Sequence, residues 1–352
     1  MTSKTKRILI IVTAVVIIAL TVFPFGLAVA IYEDNFGVRH ETYSPMKRSL
    51  DEFDQLNMKE VRFVSNKGQE LAGYQYSKNP HEPLGVVVIA HGLGGGGQNS
   101  YMDIADYFAS HQYVVFAYDA TGNDNSQGDS VKGIPQGLID LDYAIRYVKQ
   151  APEYDDLPIV TFGHSWGAYS AGAVLNYHPD VKAVVMVAGF DKSLDIIEEE
   201  GRRLAGDGIN IILPFMSLYE RIKFGEYSTL SSSEGFKGSQ AGVMIIYSLD
   251  DEMISSEKSY QGFLDQYHQD SRFVFRQFKD RGHEWVWYSD NARAYKQKFD
   301  DDFEQYINRL DEEFSPEIKA DYLNKHLDKS LLYELDQNLM SQILQFYDSN
   351  LQ

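Results

Sequence analysis

Beyond residue 60 the chain alternates short apolar runs with longer stretches in which apolar residues recur every three or four positions. VRFVS (61–65) and LAGYQYS (71–77) read as a strand hairpin turned at Asn66-Lys67-Gly68. GVVVIA (85–90), YVVFAY (113–118), PIVTF (158–162), VKAVVMVA (181–188), AGVMIIYS (241–248) and RFVFRQF (272–278) read as further strands. The continuous apolar character of GVVVIA is what burial on both faces of a sheet requires. Between the strands, residues 98–111, 135–150, 166–177, 256–268 and 286–310 read as helices, the second opened by Pro135. Strands alternating with helices predict an α/β fold with a mostly parallel central sheet and helices on both faces. Residues 32–60, polar and mixed in charge, suit a stalk followed by a first amphipathic helix near 45–57.

The amino terminus has a different pattern. Lys4, Lys6 and Arg7 precede an uncharged run from Ile8 to Ile31, 24 residues long. At about 1.5 Å per helical residue this suffices to cross a hydrocarbon core of roughly 30 Å. The expectation is a transmembrane helix with its basic flank inside and the rest of the chain on the extracytoplasmic side, a single-pass cell-membrane protein. The second reading is a cleaved signal and a secreted enzyme, since Ala28-Val29-Ala30 fits a small-residue cleavage site. Length favours the anchor, because signal apolar cores usually run only about 7–15 residues.

Charge removes one class of partner. The net charge is -19, and beyond residue 31 it is -22, from 29 basic and 51 acidic residues. A polyanion such as nucleic acid is therefore not an expected partner. The chain has no cysteine, which excludes disulfides and thiolate metal sites. Oligomeric state is left open.

Gly163-His164-Ser165-Trp166-Gly167 fits G-x-S-x-G where a strand gives way to a helix, the context in which such a serine is a nucleophile rather than a small turn residue. A serine hydroxyl is barely ionised at neutral pH, so it needs a histidine base, and the base needs a carboxylate to set its tautomer. Strand 241–248 is followed by Leu249-Asp250-Asp251-Glu252, and strand 272–278 by Lys279-Asp280-Arg281-Gly282-His283. Of nine histidines, only His283 follows a late strand in a glycine-containing loop. Acyl transfer also needs two backbone donors for the developing oxyanion. HGLGGGG (91–97) after strand 85–90 supplies the N–H of Leu93, and the elbow supplies that of Trp166, with His91 bracing the loop. A phosphate-cradling loop is the competing reading, but neither G-K-[ST] nor G-x-G-x-x-G entering a helix is present.

Together HGLGG, GHSWG and YDATGNDNSQGDS (118–130), with the later acid and histidine in order, resemble the α/β-hydrolase superfamily over roughly residues 60–310. The third segment departs from the family's commoner D-x-x-G-x-x-x-S-x-G pattern at Asn123, Asp124 and Asn125. It passes superficially for a calcium loop, yet its twelfth position is Ile134 where a bidentate glutamate is needed. The resemblance implies a cap, here about residues 189–240, and no cofactor or metal. Within it Arg202 and Arg203 are expected to pair with Glu198 to Glu200 on the surface rather than bind a substrate carboxylate. Of the adjacent acids, the family's spacing to a following aliphatic residue points to Asp251, three before Ile254, rather than Asp250.

The expected organisation is thus a membrane segment (1–31), a stalk and helix (32–60), a catalytic domain (61–310) and a helical extension (311–352). Between Phe299 and Asp336 lie 12 acids against four bases, the pattern of a solvated helical face. The expected activity is a serine hydrolase acting on small-molecule carboxylic esters, with peptides, as in prolyl-oligopeptidase-like enzymes, or a silent scaffold for another envelope protein as alternatives.

Overall fold

The computed structural model describes residues 2–310 and 313–351, so the boundary expected at residue 311 lies outside it. Eight strands form one sheet: β1 (Asn57–Val64), β2 (Glu70–Ser77), β3 (Val86–Ala90), β4 (Val114–Tyr118), β5 (Ile159–His164), β6 (Ala183–Val187), β7 (Gly242–Ser248) and β8 (Phe273–Phe278). Their order is β1-β2-β4-β3-β5-β6-β7-β8. β2 runs antiparallel to both β1 and β4, and every other pair is parallel. The apolar runs of β3 to β7 are buried on both faces, while the edge strand β1 is largely exposed.

Each face of the sheet has its own core. On one side pack α4 (Ile134–Gln150), α5 (Trp166–Ala173), α8 (Ser232–Gly238) and α9 (Tyr260–Tyr267), through Leu138, Leu141, Ala168, Phe236 and Phe263. On the other pack α3 (Met102–Ser110), the start of α10 (Asp290–Ile307) and α13 (Gln337–Leu351). α13 buries Leu339, Met340, Ile343 and Tyr347, and the Tyr347 hydroxyl donates to the carbonyl of Thr161 at 2.8 Å. The region before it, α11 (Pro316–His326) and α12 (Lys329–Leu332), buries Tyr322, Leu323 and Leu332 beneath its charged face.

The amino terminus departs from expectation. The apolar run is divided into α1 (Ser3–Ile17), a π-helical turn (Ile18–Val22) and α2 (Phe23–Phe36). No helix among the described residues is long and apolar enough to cross a membrane, which overturns the expected transmembrane helix. The 15 residues of α1 reach only roughly 22 Å, short of a hydrocarbon core. Only the end of the run packs on the rest of the chain: Ala28, and Tyr32 just after it, are buried among Ile197, Ile209 and Met216, while Leu20, Val22 and Phe23 are exposed.

Of the segment expected to form a cap, α6 (Ser193–Ala205) and α7 (Ile209–Phe224) pack with α2, whereas α8 packs on the sheet. Arg202 pairs with Glu198 and Asp207, and Arg203 with Glu199 and Glu200. Nor is the segment after α2 a free stalk: its backbone bonds to the 118–131 loop through His40 to Gly122, Asp124 to His40 and Val131 to Val38. The helix expected near 45–57 is replaced by two 3-10 turns, Ser44–Met46 and Leu50–Glu52, with the Arg48 N–H and carbonyl between them both bonded to the Asn99 side chain.

Where α2 meets the cap, Glu220 is fully buried and accepts hydrogen bonds from Tyr32 and Ser193, each at 2.7 Å. Burial pushes its carboxyl from a free glutamate's 4.5 up to about 7. The folded value lies above the unfolded one, so the folded state keeps a proton the unfolded chain has already released. Stability therefore falls as pH rises from about 4.5 to about 7, by on the order of 3 kcal/mol at most for this group. Thermal melts of wild type and Glu220→Gln across pH 4.5–8 check this: the glutamine variant is expected to lose that part of the decline.

Candidate active site

β5 ends at His164 and α5 begins at Trp166, so the chain reverses within Ser165. Its backbone lies at φ 53°, ψ -115°, a region disfavoured for a residue with a β-carbon and held only where neighbours over-determine it. Its N–H donates to the Val187 carbonyl at 2.8 Å. On either side the backbone packs too closely for a side chain. A β-carbon at Gly163 would sit 2.2 Å from the Gly167 oxygen, and one at Gly167 2.0 Å from the Ala90 oxygen. The turn thus presents Ser165 at the carboxyl edge of the sheet, where it lines a cavity of about 460 Å³ with His283, Leu93 and Trp166.

His283 lies in the loop after β8. Its Nδ1 is 2.8 Å from Asp251 Oδ2, and since a carboxylate only accepts, Nδ1 carries the proton and Nε2 keeps its lone pair. The Asp251 side chain has no solvent exposure. Its Oδ1 accepts from the N–H groups of Met253 and Ile254, at 2.8 and 3.0 Å. Asp250 faces another way, bound to the Ser248 hydroxyl and the Gly282 N–H at 2.5 and 2.9 Å. It is a turn residue, and hydrogen bonding to its ionised form holds its carboxyl low against a burial contribution that raises it.

The glycine-rich loop is braced from three directions. His91 donates from Nδ1 to the Gly92 carbonyl and accepts the Ala120 N–H at Nε2, at 2.7 and 2.9 Å. These bonds require the neutral ring, in keeping with burial driving its pKa down to about 4. Asp119 accepts the Gln98 N–H, and Asp124 accepts those of Gly97 and Thr42. The segment that departs from the family pattern at 123–125 is thereby tied to the glycine-rich loop. Trp166 is the first residue of α5, so its N–H has no acceptor within the helix.

The reading from sequence gave His164 no role beyond its place in the elbow. The Gly92 N–H donates to the Tyr101 hydroxyl at 2.8 Å, and that hydroxyl donates to His164 Nδ1 at 2.9 Å. His164 Nε2 in turn donates to the His283 carbonyl at 3.0 Å. A neutral, buried histidine therefore joins the glycine-rich loop to the backbone of the loop bearing His283, with Trp287 packed edge-on against it at 4.7 Å. The only sequence signal was a histidine beside the serine, and its partners are 63 and 119 residues away.

His164, His283 and Glu284 place possible ligand atoms within 4.8 Å of one another. A metal on either ring nitrogen of His164 would displace the bond that nitrogen makes, to Tyr101 or to the His283 carbonyl. The bond of His283 Nδ1 to Asp251 leaves its Nε2 unprotonated, and His283 lines the same cavity as Ser165.

The family model described as serine aminopeptidase, S33, matches residues 81–214, which include Leu93, Ser165 and Trp166 but stop short of Asp251 and His283. A quorum-quenching protein, AidA of Acinetobacter baumannii, is 29% identical over 124 residues, 35% of this chain. The match spans only 40% of that relative's length. Among solved structures, acetyl xylan esterase 1 from Thermoanaerobacterium aligns with a TM-score of 0.51 and 17% identity, over 72% of this chain and 85% of that one. An esterase of Pyrococcus furiosus aligns with a TM-score of 0.50 and 16% identity, over 72% and 92%. At such identities these structures show a shared fold.

Proposed function

We propose that this chain, which shares its fold with esterases and matches a serine aminopeptidase family model over residues 81–214, is a serine hydrolase that cleaves carboxylic esters through an acyl-enzyme. Ser165 Oγ attacks the ester carbonyl while His283 Nε2 takes its proton. Asp251 holds the imidazole in the tautomer that leaves Nε2 free and stabilises the imidazolium that forms. The N–H groups of Leu93 and Trp166 take the charge on the tetrahedral oxygen, each contributing about 3 kcal/mol to the transition state. Collapse breaks the C–O bond to the alcohol, which leaves with the proton from His283. Water then attacks the acyl-enzyme by the same route, releasing the acid and restoring Ser165.

The observation that carries this reading is one cavity lined by Ser165 and His283 together with mostly aliphatic or aromatic residues. Such walls suit an apolar acyl or alcohol group, whereas a peptide backbone needs partners for its N–H and C=O groups. A peptidase is the second reading, supported by Glu200 and Glu284 in the lining, which could pair with a substrate ammonium group.

Labelling with a fluorophosphonate is expected in wild type and absent in Ser165→Ala. A folded wild type that never reacts would overturn the hydrolase reading in favour of a silent scaffold. Rates on p-nitrophenyl esters beside aminoacyl anilides separate ester from peptide: a preference for the anilides rejects the ester proposal.

A further inference from the structure

The face of α2 turned toward the domain carries Ala28, Ile31, Tyr32, Asn35 and Phe36, an i, i+3, i+4 pattern of one helical stripe. Four of these, from Ile31 to Phe36, line the cavity that holds Ser165 and His283. Across it stand Ile196, Ile197, Ile209 and Met216 of the cap. The helix is seated by a specific polar lock. Tyr32, itself buried, donates to Glu220, while Glu33 pairs with Lys223 and accepts from the Tyr219 hydroxyl at 2.6 Å. The catalytic domain makes room for it: Gly133 sits at φ 146°, and a β-carbon there would lie 2.0 Å from the Tyr32 hydroxyl.

We infer that α2 is a wall of the substrate site and sets the length of apolar chain the enzyme accepts, Ile31 and Phe36 being specificity-determining residues. The substrate class is an ester bearing one medium-length aliphatic chain, lying between α2 and the cap with its carbonyl at Ser165. The cavity, about 460 Å³, falls within the ordinary range of ligand pockets, roughly 300–1,000 Å³. Its walls offer an aliphatic chain dispersion contacts and few polar groups to desolvate. This inference rests on the ester-hydrolase reading.

The test compares wild type with Ile31→Trp, which keeps Tyr32 and Glu33 and adds bulk inside the cavity. Expected is a fall of at least about tenfold in the ratio of kcat/KM for p-nitrophenyl decanoate to that for the butyrate. Phe36→Ala should shift the preference the opposite way. If wild type cleaves esters but both variants keep its chain-length ratio within twofold, the inference is overturned while the ester reading stands. If wild type cleaves no ester, the ester reading fails. Binding of the neutral fluorophore N-phenyl-1-naphthylamine to Ser165→Ala then decides the wall. Saturable binding displaced by decan-1-ol and lost on adding Ile31→Trp supports it; unchanged or absent binding overturns it.

Discussion

Asp251→Asn is expected to lower kcat/KM by about four orders of magnitude, and Asp250→Asn by far less. Asparagine can place its amide N–H₂ toward His283 Nδ1, which favours the tautomer with the proton on Nε2 and removes the base. In a serine protease the same change to the orienting aspartate cost about that factor with geometry intact. Here the acid's partners are well separated: Asp251 faces His283 at 2.8 Å, whereas Asp250 is occupied by Ser248 and Gly282. Both donors bond to Asp250 Oδ1, and asparagine keeps a carbonyl oxygen to accept them, so a much smaller effect of Asp250→Asn is expected. The check is kcat/KM on whichever ester is cleaved, with thermal melts to show both variants folded. A larger loss for Asp250→Asn would place the orienting acid one residue earlier.

Gly167→Ala is expected to prevent folding or to destabilise by about 4 kcal/mol or more, at the upper end for single substitutions. Its new β-carbon would lie 2.0 Å from the Ala90 oxygen and 2.8 Å from that of His91. Both obstacles are main chain, and Ala90 is held between neighbouring strands, so neither can swing aside. Gly95, with nothing within 4 Å of its would-be β-carbon, is the control, where alanine should change the melt by less than about 1 kcal/mol. Soluble yield and thermal melting distinguish the two.

Much of this architecture was legible because local chemistry and long-range role coincide. The strands announced themselves as apolar runs such as Val86 to Ala90, and the elbow as a serine between glycines at the end of one of them. Ile254 was legible as a spacing marker, and it is buried, with its N–H bound to Asp251. What escaped depends on partners distant in sequence. Tyr32 meets Glu220 across 188 residues, and an apolar stripe that packs on a cap has the same composition as one that enters lipid. The extension after residue 310 was read by its acids, yet Met340, Ile343 and Tyr347 lie against the sheet. The helix expected near 45–57 is absent, and the Arg48 N–H and carbonyl within it bond instead to the side chain of Asn99, 51 residues away.

The position of α13 has a consequence for biosynthesis. This helix seals one face of the sheet, and its Asn350 and Leu351 touch the points where Gly242 and Gly85 leave no space for a side chain. Translation delivers these residues after all eight strands. Until residue 351 has left the ribosome, Val87, Val185 and Met244 on that face lack part of their cover. The catalytic domain therefore completes its core only after release of the preceding 336 residues, and the nascent chain carries an apolar sheet face that a holdase chaperone is suited to shield.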